Sequence, residues 1–251
     1  MSGSSAPDPP DLRAGTFQGR TFTVLRAVLL GLCRVLLGMR IMGLENVPRT
    51  GPLLVVANHL HNADPVLIAV AIPRPLHYMA KKELFRIPVV SWILRRGGTF
   101  PVDRGTADRA AIRIADQSLR QGIAVGMFPE GTRSRTRSLK AALPGAAMIA
   151  QLTDAPVLPV VITGSERLPF NGGTKRGGGM TAPRRNHRGV RVRIGTPFSI
   201  PSRTEDGRKV GRDEATDRLM AELARLLPPD YRGVYAHLVE TTDANTEPPS
   251  V

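Results

Sequence analysis

Asn58-His59-Leu60-His61-Asn62-Ala63-Asp64-Pro65 follows directly on the apolar run Leu53 to Ala57. In open α/β sheets the loop leaving a strand's carboxyl end is the usual place for chemistry. A histidine with a carboxylate close by can act as a general base, because the carboxylate fixes the imidazole tautomer and stabilises its charged form. His59 and Asp64 fit that pairing on one condition. On a continuous helix they would stand about 140° apart, so the pair requires a turn. Pro65 supports a turn, since proline disfavours helical geometry at the residue before it. The ordinary alternative is a capping Asp beside a structural His.

Three further stretches carry suitable groups. In Gly98-Thr99-Phe100-Pro101-Val102-Asp103-Arg104 a strand delivers Arg104 to its end, where a guanidinium can fork onto a phosphate. In Phe128-Pro129-Glu130-Gly131-Thr132-Arg133-Ser134-Arg135 a strand ends in a tight turn, and Gly131 permits close backbone approach. Glu130 can accept a hydrogen bond from a sugar or glycerol hydroxyl, or orient Arg133. Arg133, Arg135, Arg137 and Lys140 form a cationic run suited to a phosphate. Ala155 to Val161 reads as a buried strand. His59-x-His61-x-x-Asp64 resembles the start of a metal site, but His77, His187 and His237 form no second cluster, and no metal is expected. The sequence has no G-x-S-x-G elbow, no G-x₄-G-K-[ST] loop and no G-x-G-x-x-G fingerprint. Cys33 lies in an apolar stretch with no histidine near it in sequence. The chemistry must therefore proceed without a covalent Ser or Cys intermediate.

These loops need a frame to hold them. From Pro52 onward apolar runs and amphipathic stretches alternate. Strands are expected at Leu53–Ala57, Leu76–Ala80, Thr99–Val102, Ala124–Phe128, Val157–Thr163 and Val190–Ile194. Helices are expected at Val66–Ile72, Ala107–Gln121, Ala146–Leu152 and Asp213–Leu227. Lys82 to Arg96 is apolar with cationic ends and is interrupted by Pro88. Alternation of this kind predicts an α/β fold, a mainly parallel sheet covered by helices.

Before that frame, Val24 to Met42 is the nearest approach to a membrane span, but Arg34 falls near its centre, where charge is costly. Arg20, Arg26, Arg34 and Arg40 fall within roughly 160° of the helix circumference. The expectation is a basic amphipathic helix lying in a membrane surface. The chain thus divides into a disordered N-terminus (1–12), an amphipathic membrane-associated helical segment (13–48), an α/β domain (49–230) and a C-terminal tail (231–251). No signal peptide is expected in the first residues.

Composition narrows the partners. Lys and Arg number 35 against 21 Asp and Glu, a net charge of +14 over 251 residues. That excess predicts an anionic partner. Aromatic residues make up 4% of the chain, too few for the stacking platforms of single-strand nucleic-acid binding. Lys175 to Arg193 carries seven Lys or Arg and no acid. It reads as a flexible basic loop, suited to anionic lipid or an acidic acyl carrier. The one cysteine excludes an intramolecular disulfide.

Taken together, the four stretches resemble the glycerolipid acyltransferases, in particular the 1-acylglycerol-3-phosphate acyltransferase type. The family pattern N-H-x-S-x-x-D-P matches Asn58 to Pro65, except that His61 replaces the usual Ser or Gln. The second block matches at Gly98, Phe100 and Arg104, the third from Phe128 to Ser134, and the fourth at Val157-Leu158-Pro159-Val160. The resemblance covers about residues 45–200. It implies transfer of a fatty acyl group from acyl-CoA or acyl-carrier protein to the sn-2 hydroxyl of lysophosphatidic acid, giving phosphatidic acid. His59 would be the base and Asp64 its partner. Arg104 and Arg133 would bind the phosphate, with Glu130, Gly131 and Thr132 in the same pocket. No cofactor is implied. The expected setting is the cytoplasmic face of the cell membrane, held peripherally or monotopically. The alternatives are acylation of another lysophospholipid, or a basic membrane-binding protein without catalysis.

Overall fold

A computed structural model describes Thr16 and residues 19–102, 109–169 and 189–239, and every structural statement concerns these residues. The elements run α1 (Gly19–Leu37), β1 (Arg40–Met42), β2 (Leu53–Ala57), α2 (Asp64–Ala71), β3 (Leu76–Lys81), α3 (Pro88–Arg96) and β4 (Phe100–Val102). They continue as α4 (Arg109–Arg120), β5 (Ala124–Met127), α5 (Gly145–Thr153), β6 (Val157–Thr163), β7 (Arg191–Ile194) and α6 (Arg212–Leu226). The seven strands form one sheet in the order β1-β7-β6-β2-β5-β3-β4. Its pairs are parallel except β6 with β7. The expected α/β architecture is what the chain adopts.

β2 lies at the centre, and all five of its residues are buried. Its side chains alternate between two cores, as the pleat requires. Leu54 and Val56 join Leu119 of α4, Ile149 of α5, and Leu219, Met220 and Leu223 of α6. Leu53, Val55 and Ala57 face the opposite way, against Leu67, Ile68 and Ala71 of α2. Burial on both faces explains why the run is continuously apolar. The carboxyl ends of β2, β3, β4, β5 and β6 share one edge of the sheet. The loops that follow β2 and β5, both singled out for chemistry, leave from that edge.

The N-terminal helix stops earlier than the sequence suggests. It ends at Leu37, not Met42, because Gly38 takes a left-handed conformation (φ 58°) and the Met39 N–H turns back to the Cys33 carbonyl at 3.2 Å. Residues 40–42 then form β1, paired with β7. The α/β domain therefore starts before residue 49. The basic face is also corrected. Arg26 turns inward, and its Nε and Nη2 each donate at 3.0 Å to the carbonyls of Ile72 and Ala71 at the end of α2. Phe22, Leu29, Leu30, Cys33 and Leu37 are half-buried with it, while Val24, Val28, Leu32, Val35 and Leu36 are exposed. The outward face is thus apolar, flanked by exposed Arg20 and Arg34. Among the described residues no helix is long and apolar enough to cross a membrane.

The C-terminal boundary at 231 is corrected too. Tyr235 and Val239 are buried in the core beside α6. The Tyr235 hydroxyl accepts the Ala142 N–H at 2.8 Å, and the Tyr231 hydroxyl donates to Glu166 Oε1 at 2.9 Å. Tyr235, with its ring buried, and the half-buried Tyr231 anchor residues 231–239 to the domain. The expected disordered start and most of the basic loop lie outside the described residues.

Candidate active site

Where β2 ends, Asn58 closes the gap to β6. Its Nδ2 donates to the Ile162 carbonyl at 2.9 Å, and its Oδ1 accepts the Ile162 N–H at 2.8 Å. A buried amide thus takes over from the strand ladder and fixes where the chain turns. Residues 61–63 make the turn, and α2 begins at Asp64, two residues ahead of the expected start. The turn brings the two expected partners together. His59 Nδ1 lies 3.0 Å from Asp64 Oδ2. The same oxygen accepts the N–H groups of Leu60 and His61, each at 2.6 Å. Asp64 is fully buried and His59 nearly so. A carboxylate oxygen only accepts, so the His59 proton sits on Nδ1 and Nε2 is the nitrogen able to take another.

The loop after β5 holds His59 from the other side. The Phe128 ring stacks on the imidazole with centroids 4.2 Å apart, and Tyr78 stacks on Phe128 at 6.0 Å. The His59 N–H donates to Glu130 Oε1 at 2.9 Å, and the His59 carbonyl accepts the Ser134 N–H at 2.7 Å. Both backbone groups of the histidine are therefore tied to one loop. Glu130 Oε2 accepts the Lys140 N–H at 3.0 Å. Burial pushes the Glu130 carboxyl up to about 7, against the opposing pull of those two backbone donors.

The remaining sequence-derived residues fall as follows. Gly131 closes the turn, with its N–H on the Phe128 carbonyl at 3.0 Å and φ at 65°, where glycine is favoured. Thr132 is exposed and Arg133 half-buried. The Arg133 charge contributes to lowering the His61 pKa. Glu130 braces backbone N–H groups of both loops with its two oxygens, a role the sequence did not suggest. Arg104 lies outside the described residues, although β4 ends on the same sheet edge. Among the described residues no three His, Cys, Asp or Glu side chains gather as a metal-binding group.

Sequence reasoning gave no role to four residues. Asn58, Phe128, Ser134 and Tyr235 all act through contacts made by folding. Asn58 carried the only local signal, a polar residue ending an otherwise apolar strand.

A family model described as Acyltransferase matches residues 38–163. The chain is 36% identical over 129 residues to the 1-acyl-sn-glycerol-3-phosphate acyltransferase of Bacillus subtilis (strain 168), covering 51% of this chain and 63% of the relative. It is 30% identical over 219 residues to the enzyme of that name from Saccharomyces cerevisiae, covering 80% of this chain and 64% of the relative. The match thus spans about three fifths of these curated relatives. The crystal structure of the 1-acyl-sn-glycerophosphate acyltransferase PlsC from Thermotoga maritima superposes with a TM-score of 0.58 at 24% identity, over 83% of each chain. That likeness shows the fold. With its central sheet and dyad loop under the family model, the chain belongs to the acyltransferase family.

Proposed function

We propose that the chain transfers a fatty acyl group from acyl-CoA or acyl-carrier protein to the sn-2 hydroxyl of 1-acylglycerol-3-phosphate, giving phosphatidic acid. The observation that carries this reading is His59 Nδ1 at 3.0 Å from Asp64 Oδ2, on the sheet edge where strands open into loops. The names of the relatives support the choice of acceptor.

The residues supply the following steps. His59 Nε2 removes the proton from the acceptor hydroxyl as its oxygen attacks the thioester carbonyl. A carbon–oxygen bond forms, the carbon–sulfur bond breaks, and the leaving thiolate takes up from His59 the proton that the hydroxyl gave. Asp64 holds the imidazole in the required tautomer and stabilises its cation. Base catalysis of this kind contributes about 10²–10⁴-fold. Arg133, with Arg104, is positioned by the reading to bind the acceptor phosphate. The reaction as written draws on no cofactor.

The acceptor resides in a bilayer, and two surface features support docking there. One is the apolar outer face of α1, flanked by Arg20 and Arg34. The other is the segment leaving β3, with Ile87 and Trp92 exposed and Arg96 over the Trp92 ring. Apolar side chains beside cations fit an anionic lipid surface.

The test is thiol release from palmitoyl-CoA, with and without lysophosphatidic acid, by the wild type and His59→Ala. The reading requires acceptor-dependent release that the variant lacks. Release without acceptor would instead identify a thioesterase. If CoA thioester is refused, acyl-carrier protein is the donor to supply.

A further inference from the structure

His61 takes no part in the proposed proton transfer, yet only 4% of it is exposed. It also stands at the one place where the Asn58–Pro65 segment departs from the family pattern. Its ring nitrogens face groups with fixed roles. The Ala63 N–H donates to Nδ1 at 3.0 Å, and Nε2 lies 3.1 Å from the Pro169 carbonyl oxygen. A backbone N–H can only donate and a carbonyl can only accept. The imidazole is therefore neutral, with its proton on Nε2. Ala63 immediately precedes α2 and Asp64. Pro169 lies just beyond the short helical turn that follows β6. The His61 backbone N–H meanwhile donates to Asp64 Oδ2.

We propose that His61 is a positioning residue: its neutral imidazole pins the His59–Asp64 turn between the start of α2 and the Pro169 backbone. The kinetic consequences rest on the acyltransferase reading, whereas the pin itself does not. A proton added at Nδ1 would set donor against donor at Ala63 and release the start of α2. The charged groups facing the ring are Asp64 and His59 on its own loop and Arg133 from the loop after β5; the segment after β6 presents the Pro169 carbonyl. Burial is the largest influence and lowers the pKa, Asp64 and the carbonyl oppose it, and Arg133 and His59 add to it. The ring thus protonates only below the ordinary histidine value. Protonation of the base alone gives the acid limb of log kcat against pH a slope of one. A second disabling proton on His61 steepens that limb toward two.

Two measurements on the full chain decide it. The first is ¹⁵N NMR of labelled imidazoles, with the His61 signals assigned by their loss in His61→Gln. The pin requires an Nε2–H tautomer at neutral pH, and faster Ala63 amide exchange as His61 titrates. An Nδ1–H tautomer, or an Ala63 amide indifferent to that titration, overturns it. The second is the pH profile of kcat. The wild type should show the steep acid limb, and His61→Gln and His61→Asn, which cannot titrate, a slope of one. His61→Ala should lose about tenfold in kcat with little change in KM. A wild-type limb that keeps a slope of one through the pH at which the NMR shows His61 titrating, or full kcat in His61→Ala, overturns the proposal. Absence of acceptor-dependent thiol release from the wild type with both palmitoyl-CoA and palmitoyl-acyl-carrier protein overturns the acyltransferase reading, and the NMR measurement then decides the pin.

Discussion

The backbone N–H of His59 donates to Oε1 of Glu130, 2.9 Å away and 71 positions along the chain. The second oxygen of Glu130 holds the Lys140 N–H, so one carboxylate spans from the dyad loop to the loop after β5. An amide in its place has one oxygen for two donors. Glu130→Gln should cost about 1–3 kcal/mol of stability, the range for a buried donor left unmade, and should lower kcat as the His59 backbone loosens. The pH dependence gives a second check. Burial raises the Glu130 carboxyl from 4.5 to about 7. Between those values the folded chain binds more protons at this site than the unfolded chain does. The contribution to stability is therefore full below 4.5 and lost as pH rises through about 7. Urea unfolding at pH 5 and pH 8 should show the wild type losing stability over that interval, with a smaller loss in Glu130→Gln.

Asp64 Oδ2 receives three donors, from His59 Nδ1 and from the N–H groups of Leu60 and His61. Asp64→Asn removes the charge that stabilises the imidazolium and leaves one neutral oxygen to serve all three. Loss of about 10²–10⁴-fold in kcat is expected, the span of general base catalysis. His59 and Asp64 act as a unit, so the double variant should be hardly slower than the slower single one. Multiplying losses would show that the two act separately.

What could be read from the sequence depended on how local the determinant was. The dyad was legible because His59 and Asp64 share one eight-residue stretch between a buried strand and a proline. The central strands were legible because β2 and β6 are buried on both faces and so are unbroken apolar runs. β1 was missed because Arg40-Ile41-Met42 continues the apolar pattern of α1, and only its pairing with β7 makes it a strand. Gly38 was the available signal for the helix end. Arg26 was assigned to the basic face of the helix because its partners, the last carbonyls of α2, lie 45 and 46 positions away. The bracing role of Glu130 was missed for the same reason: both groups it holds are backbone N–H groups, and a sequence does not display those.

The loop carrying Glu130 is itself braced by the C-terminal segment. The Tyr235 hydroxyl accepts the Ala142 N–H at 2.8 Å, and the Leu139 N–H donates to the Tyr231 carbonyl at 2.9 Å. Tyr235→Phe keeps the buried ring and removes only the acceptor. It should cost about 0.5–1.5 kcal/mol, read as a fall in thermal midpoint. Truncation after residue 230 removes the ring as well and should abolish acceptor-dependent thiol release. An active, fully stable truncation would show that residues 231–239 do not position the loop.

The outer face of α1 offers the last test. Val28 and Val35 are 56% and 71% exposed, on the side of the helix away from α2. The Arg26 fork onto α2 fixes which side that is, since Arg26 and Cys33 face inward. Burial of a valine side chain in an apolar phase contributes about 1.5–3 kcal/mol, so a carboxylate in its place both forfeits that gain and repels anionic lipid. Val28→Glu with Val35→Glu should therefore reduce sedimentation with phosphatidylglycerol vesicles by at least about tenfold. The inward face is untouched, so the thermal midpoint should hold. Thiol release should then fall with vesicle-borne lysophosphatidic acid far more than with a short-chain, monomeric acceptor. Equal losses on both acceptors would mean that α1 supports the fold and takes no part in docking. Unchanged sedimentation would move the lipid contact to the Ile87–Trp92 segment at the active-site edge, where Trp92→Ala would be the variant to compare.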